Sequence, residues 1–387
     1  MKILHVIPTC DPKSGGPIEG VKQFYKYYKK NGIKSEILCS DSPGNSFLKN
    51  KNLPKVYAVG PAKFDYGYNP NLISWLNKNI HKYKCIIING IWYYHNYAVW
   101  KVATKKKIPY YIFTHGMLDP WFKENFPFKH IKKLIYWYLF QYKILKEASC
   151  LFFTSKEEKI LARKSFSSYD VKEKVVGYGV SLNPYKFNKN NNFFIKKFPQ
   201  IRDKKIILFF GRVNKKKGLE NLIQAFSVII NKYEYKNLHI LIVGPYNLDY
   251  KNDLKILISN LKLDKLITFT GPIYGKAKWD IFKSCDVFCL PSHQENFGIS
   301  VVEALSCHKP VLITNKVNIW REIKKAKAGL VSKDNIDGVV NNLKKWLLMS
   351  KSNYKTMSKN AFNCFDKNFN TKDTSKILIN FLNKNHK

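Results

Sequence analysis

From Pro291 to Pro310 the chain reads P-S-H-Q-E-N-F-G-I-S-V-V-E-A-L-S-C-H-K-P. Just upstream, Cys285 to Leu290 (C-D-V-F-C-L) has the composition of a short buried strand. Just downstream, Ile299, Val302 and Leu305, with Ala304 beside them, fall on one helix face. The stretch therefore predicts strand, glycine-containing loop, helix. This is the unit in which an open α/β sheet presents a ligand at the carboxyl ends of its strands. Glu295 and Glu303 stand with seven residues between them, and Gly298 lies in that interval. Helix-start amides near Phe297 and Gly298 suit an anion, because first-turn N–H groups lack partners and carry the positive dipole end. Carboxylates beside phosphate are unfavourable unless each grips hydroxyls. A sugar and a ribose supply hydroxyls, so the pattern points to a nucleotide-sugar.

Upstream, Lys205 to Phe210 (K-I-I-L-F-F) reads as a strand running into G-R-V-N-K-K-K-G. Arg212 and Lys217, five apart on a loop before a helix, are placed to meet one anion, the first as a planar fork and the second as a point charge. Lys215 and Lys216 read as bystanders. His239 to Val243 and Ile267 to Thr270, followed by Gly271, are further strands. The first half alternates strand and helix signals, the pattern of βαβ units. Its strands are expected at Ile3–Ile7, Ser35–Cys39, Val56–Val59, Cys85–Asn89, Tyr110–Thr114 and Cys150–Thr154, with a first helix from Val21 to Lys30. Gly15 and Gly16, between strand and helix, let backbone approach a ligand closely. His115 follows a strand end in F-T-H-G-M-L-D-P-W.

The Pro291–Pro310 segment resembles the E-x7-E signature of the family-4 retaining glycosyltransferases, the group 1 transferases. Their fold is GT-B, two Rossmann-like doubly wound α/β domains facing across a cleft. The likeness runs over nearly the whole chain and is strongest at Gly211–Gly218 and Pro291–Pro310. By that resemblance Glu295 holds donor-sugar hydroxyls and Glu303 the ribose, while the amides of Asn296, Phe297 and Gly298 face the sugar and diphosphate. Arg212 and Lys217 stabilise the leaving diphosphate, and Gly15 and Gly16 lie across the cleft from it. His115 hydrogen-bonds a hydroxyl of the transferred sugar and is not a nucleophile. Catalytic roles are thus expected at His115, Glu295, Arg212 and Lys217. The family needs no metal and no cofactor, and the chain has no D-x-D triplet. A front-face transfer is implied, with donor phosphate helping to deprotonate the acceptor. The two-carboxylate logic of glycosidases is a poor template, since no carboxylate stands out as nucleophile.

Domains are expected at 1–182 (acceptor side), 205–365 (nucleotide-sugar side), with a linker at 183–204 and a final helix at 366–387 crossing back to the first domain. Trp346, Phe362, Phe365, Ile377 and Phe381 are its apolar anchors and those of the helices before it. The expected donor is a UDP-sugar in preference to a GDP-sugar, carrying a hexose or N-acetylhexosamine. The expected acceptor is a hydroxyl of a growing, lipid-linked bacterial surface glycan, such as capsule or lipopolysaccharide. A nucleotide-sugar epimerase or a glycan phosphorylase of the same fold, or a basic nucleic-acid-binding protein, are the competing readings. Against the last, no helix-turn-helix, RNP or zinc-finger pattern occurs, and the basic residues are dispersed.

At 387 residues the chain has room for two domains, and 45% hydrophobic with 15% aromatic content supplies ample core. The eight cysteines contain no C-x-x-C pair, which argues against a zinc site or disulfide framework and for reduced thiols. M-K-I-L-H-V-I-P is too short an apolar run for a leader and reads as a first strand. No run of 18 apolar residues is present. The expected location is cytoplasmic, with peripheral contact at the inner face of the cell membrane left open. Sixty-seven basic residues oppose 27 acidic ones, a formal charge of +40 that attracts polyanions. Richness in Lys, Asn, Ile, Tyr and Phe also follows from drift in an adenine- and thymine-rich genome, so charge alone names no partner. A basic amphipathic helix is expected from about Lys129 to Glu147. Ile131, Leu134, Ile135, Tyr138, Leu139, Tyr142 and Leu145 form one stripe. Packing of that stripe on the domain's own core, with the lysine face available to headgroups, is favoured over the alternative that the helix lies on an anionic membrane surface.

Overall fold

Strands buried on both faces read as near-continuous apolar runs, as in Cys85–Asn89 and Leu238–Val243, and the described residues hold thirteen strands in all. The computed structural model describes residues 1–185, 197–235 and 237–386. The backbone divides into unit 1, residues 1–179 with 371–387, and unit 2, residues 180–370. In unit 1, β1 (Lys2–Ile7), β2 (Lys34–Cys39), β3 (Lys55–Ala58), β4 (Cys85–Asn89), β5 (Tyr110–Phe113), β6 (Cys150–Phe153) and β7 (Glu173–Val175) form one sheet in the order β3-β2-β1-β4-β5-β6-β7. In unit 2, β8 (Lys205–Phe210), β9 (Leu238–Val243), β10 (Ile267–Gly271), β11 (Val287–Leu290), β12 (Val311–Thr314) and β13 (Gly329–Ser332) order as β10-β9-β8-β11-β12-β13. Every strand pair is parallel. Both units are thus Rossmann-like, and each reverses strand order once: between β1 and β4, and between β8 and β11. Ligands of such sheets bind at that reversal, beyond the carboxyl ends of the strands.

Alternation along the strands feeds the two faces of the first sheet. Leu4, Val6 and Leu38 enter one apolar cluster with Ile86, Ile88, Ile112 and Leu151, whereas Ile7, Ile37 and Cys39 enter another with Ile18 and Val21. All eight cysteines are free and buried. The last helix, Thr371–Asn385, belongs to unit 1, where Phe381 packs edge-on against Tyr111 and Phe152. Ile377, expected as an anchor, is exposed instead. Half of the expected linker, residues 186–196, lies outside the described residues.

The first helix starts at Gly16, five residues before the expected Val21, because Pro17 suits a first helical turn. The strands β7, β12 and β13 were not anticipated. Each has only three or four residues, and β13 opens on Gly329, where a Cβ would lie 2.1 Å from the Val311 carbonyl oxygen.

The basic amphipathic helix departs most from expectation. It runs Pro127–Tyr136, makes a π turn at Trp137–Gln141 and resumes at Tyr142–Lys146. The wider turn inserts a residue into the 3.6-residue period and rotates the buried face. Trp137, Gln141, Ile144 and Leu145 point inward, and Trp137 stacks on Phe166 at 4.1 Å. Ile131, Leu134, Ile135, Tyr138 and Leu139, expected in the core, are exposed.

Candidate active site

At the unit 2 reversal point two loops are stitched together. After β8, residues 211–218 turn through a short 3-10 segment at Lys215–Lys217 and end on Gly218. After β11, residues 291–298 lead to Gly298 and the helix Ile299–Ser306. The His293 N–H donates to the Lys216 carbonyl at 2.9 Å. Gly218 has φ +63, and a Cβ there would lie 2.1 Å from the Pro291 oxygen, so both conformation and close approach require glycine. This juxtaposition brings Lys217 and Glu295, 78 residues apart in sequence, into a direct ion pair. Arg212 stands exposed on the same loop, with no ion pair to any described residue. The backbone of Glu295 is fixed from below: its N–H donates to the Lys316 carbonyl and its own carbonyl accepts from Asn318, each at 2.9 Å.

Gly298, at φ +74, turns the chain into the helix. Asn296 accepts from the Asn318 side chain at 3.4 Å, and the Phe297 ring is buried edge-on against Phe369. Glu303, in the second helical turn, is buried and paired with Lys278 at 2.5 Å. Lys278 also lies over the Phe210 and Trp279 rings. Sequence reasoning missed Lys278, which comes from the helix Gly275–Ser284 without any motif. It missed His293 too. Asp334 hydrogen-bonds His293 at 2.8 Å and raises its pKa above the usual imidazole value, against the lowering effect of burial.

The unit 1 residues gather at the carboxyl ends of β1, β4 and β5. Gly15 has φ +87 and precedes the helix whose first residue is Gly16. Tyr178 ties that helix start down, donating to the Gly16 carbonyl at 2.8 Å, with Gly20 leaving the space its hydroxyl needs. The Tyr178 ring also meets His115 edge-on at 5.8 Å. Tyr178 thus joins the glycine loop to the histidine.

His115 sits at φ +49, a strained backbone for a non-glycine residue, and stacks on Phe113. Its Nε2 lies 3.4 Å from Asn89 Oδ1, and Asn89 in turn reaches His5 Nδ1 at 3.3 Å. Desolvation lowers the His115 pKa to about 3, so the ring is a neutral hydrogen-bonding group near pH 7. Glu158, 3% exposed, holds the loop in place. One carboxylate oxygen accepts from Thr114 Oγ1 at 2.7 Å and Gly116 N at 2.6 Å, the residues on either side of His115. The other accepts from Thr154 N and Oγ1 at the end of β6. The S-x-x-E spacing of Ser155 and Glu158 reads as a capping box, and Ser155 does cap the Glu158 N–H. The carboxylate, however, goes to β5 and β6.

Of possible metal ligands, Cys10, Cys39 and Asp41 come within 4.8 Å of one another. Asp41 is already engaged by the Thr9 hydroxyl at 2.5 Å and the Cys10 N–H at 2.7 Å. Hydrogen bonding to Cys10, with burial, pushes the Cys39 thiol far up.

Residues 190–363 match the family model of the glycosyl transferases group 1. Among curated proteins, an uncharacterized glycosyltransferase of Methanocaldococcus jannaschii is 30% identical over 47% of this chain and 43% of its own. The capsular polysaccharide biosynthesis glycosyltransferase CapM of Staphylococcus aureus is 27% identical over 41% of each. The matched stretch spans less than half the length of these curated relatives. Among solved structures, Anabaena HepE in complex with UDP superposes with a TM-score of 0.80 at 18% identity, covering 99% of this chain and 100% of that one. That likeness establishes the fold. With the two Rossmann-like units, the chain has the GT-B fold, and its residues 190–363, which hold the Lys217–Glu295 loops, match the group 1 glycosyl transferases.

Proposed function

We propose that the protein is a retaining, metal-independent glycosyltransferase. It moves a hexose or N-acetylhexosamine from a UDP-sugar to a hydroxyl of a lipid-linked surface glycan. The observation that carries this reading is the Lys217–Glu295 ion pair across two stitched loops at the unit 2 reversal point, with Arg212 exposed on the first of them. Lys217 neutralises Glu295. A bound donor replaces that pair: its diphosphate takes Lys217 and Arg212, and its sugar hydroxyls take Glu295. Glu303, shared between Lys278 and the ribose, fixes the nucleoside. As the glycosidic bond breaks, charge grows on the departing diphosphate, and the two cations stabilise it most at that moment. The donor phosphate assists removal of the acceptor proton, so no protein nucleophile is used. His115, held neutral, hydrogen-bonds a sugar hydroxyl. The choice of UDP is supported by HepE, whose solved complexes contain UDP and UDP-glucose, and the surface-glycan acceptor by CapM.

The test is turnover of UDP-sugars in EDTA with a prenyl-linked glycan acceptor, following UDP release and the anomeric proton coupling of the product. The expected result is metal-independent transfer giving the donor's own anomeric configuration. An inverted product, or loss of activity in EDTA restored by a divalent cation, overturns the mechanism.

A further inference from the structure

The helix that turns its expected core stripe outward has no covering among the described residues. Phe128 is 85% exposed, Ile135 57% and Leu139 64%, with Ile131 and Tyr138 on the same side. Its inner face is already occupied by Trp137, Ile144 and Leu145, so the segment carries two apolar faces where a surface helix normally has one. The outer stripe is not one loose side chain. Tyr136 is bound at 2.8 Å to the Tyr66 hydroxyl, and Tyr138 at 2.8 Å to Ser167, which hold the helix firmly in place. Tyr66 belongs to the turn closed by Lys63 and Tyr68, whose Phe64 is 84% exposed.

The charge beside the stripe has one sign. Residues 121–146 contain six lysines (Lys123, Lys129, Lys132, Lys133, Lys143, Lys146) and a single acid, Glu124. Lys129 and Lys132, one and four residues beyond Phe128 on the same helix, are exposed beside it. A rigid helix with exposed Phe, Ile and Leu flanked by lysines matches a bilayer interface, where the apolar face enters the acyl boundary and the lysines meet anionic headgroups. A protein partner would require acidic complementarity of equal extent, and this chain, at +40, repels a second copy of itself.

We infer that the face formed by Phe128, Ile131, Ile135, Tyr138 and Leu139 docks unit 1 on an anionic lipid surface. The inference stands apart from the donor reading, since none of these residues belongs to the candidate active site.

The experiment is cosedimentation of the full chain with phosphatidylcholine vesicles, with and without phosphatidylglycerol. Binding to the anionic vesicles is expected to exceed that to neutral ones by at least ~10-fold and to weaken with salt. The double substitution Ile135→Glu with Leu139→Glu, at two exposed positions, is expected to lower binding to anionic vesicles by ~10-fold or more. Its melting temperature and its UDP affinity should match the wild type, which separates a lost membrane contact from misfolding or a failed donor assignment. Equal binding by the double variant, or no preference for anionic vesicles, overturns the inference. So does sedimentation velocity showing a dimer that the double variant dissociates, because the stripe is then occupied by a second copy.

Discussion

Lys217→Ala is expected to lower kcat/KM for sugar transfer by at least ~100-fold, the usual scale for removing one group that stabilises developing negative charge. Two effects combine. The leaving diphosphate loses its nearest point charge, and Glu295, no longer paired, presents an uncompensated carboxylate to the same phosphates. The loss should therefore be non-additive: adding Glu295→Ala to Lys217→Ala should cost less than Glu295→Ala alone, because repulsion disappears along with the sugar contact. Folding stability should barely move, since partly exposed ion pairs contribute only about 0.2–1 kcal/mol. Lys215→Ala, on the same 3-10 turn but exposed, serves as the control and should retain activity near wild type. A steady-state comparison of the four variants with wild type checks this. A Lys217→Ala enzyme within a few-fold of wild type would remove Lys217 from the phosphate role.

Glu158→Ala is expected to damage stability rather than only catalysis. The side chain is buried and accepts from Thr114, Gly116 and Thr154, the last through both backbone and hydroxyl. Truncation leaves these donors without their acceptor, and with roughly 1–3 kcal/mol per stranded group, partly relieved by entering water, a total near 3–5 kcal/mol follows. Glu158→Gln should recover only part of this, because the amide turns a donor toward donors. The strained backbone of His115 depends on its two neighbours being held, so the loop should loosen before unit 1 unfolds. Urea denaturation gives the stability change. Hydrogen exchange at Gly116 gives the local effect. Wild-type protection at Gly116 in Glu158→Ala would show that the carboxylate does not fix this loop.

Much of the fold was legible because parallel strands announce themselves. Cys85–Asn89 and Lys205–Phe210 have their observed bounds, and most other long strands are displaced by one residue. Arg212, Lys217, Glu295 and Glu303 were legible as candidates for a similar reason, since each lies in a continuous stretch whose pattern is local. Lys278, His293, Tyr178 and Glu158 were not, because their partners lie far along the chain and nothing local marks them. Glu158 shows the difficulty well. Its S-x-x-E signal is real, but it describes the helix start and not the strand ends that the carboxylate reaches. The helix beyond Pro127 misled for another reason. A stripe drawn at constant period assumes an unbroken α-helix, and the π turn at Trp137–Gln141 breaks the period midway. The residues expected inside then face outward.

The proposed activity requires unit 2 to recognise a nucleoside diphosphate through the stitched loops. Isothermal titration of UDP, GDP and ADP in EDTA, against wild type, Arg212→Ala and Glu303→Ala, tests that most directly. The predicted result is UDP binding by wild type, with a loss of at least ~10-fold in each variant, the scale of one charge-assisted hydrogen bond. Failure of all three nucleotides to bind, or UDP affinity unchanged in both variants, would contradict it.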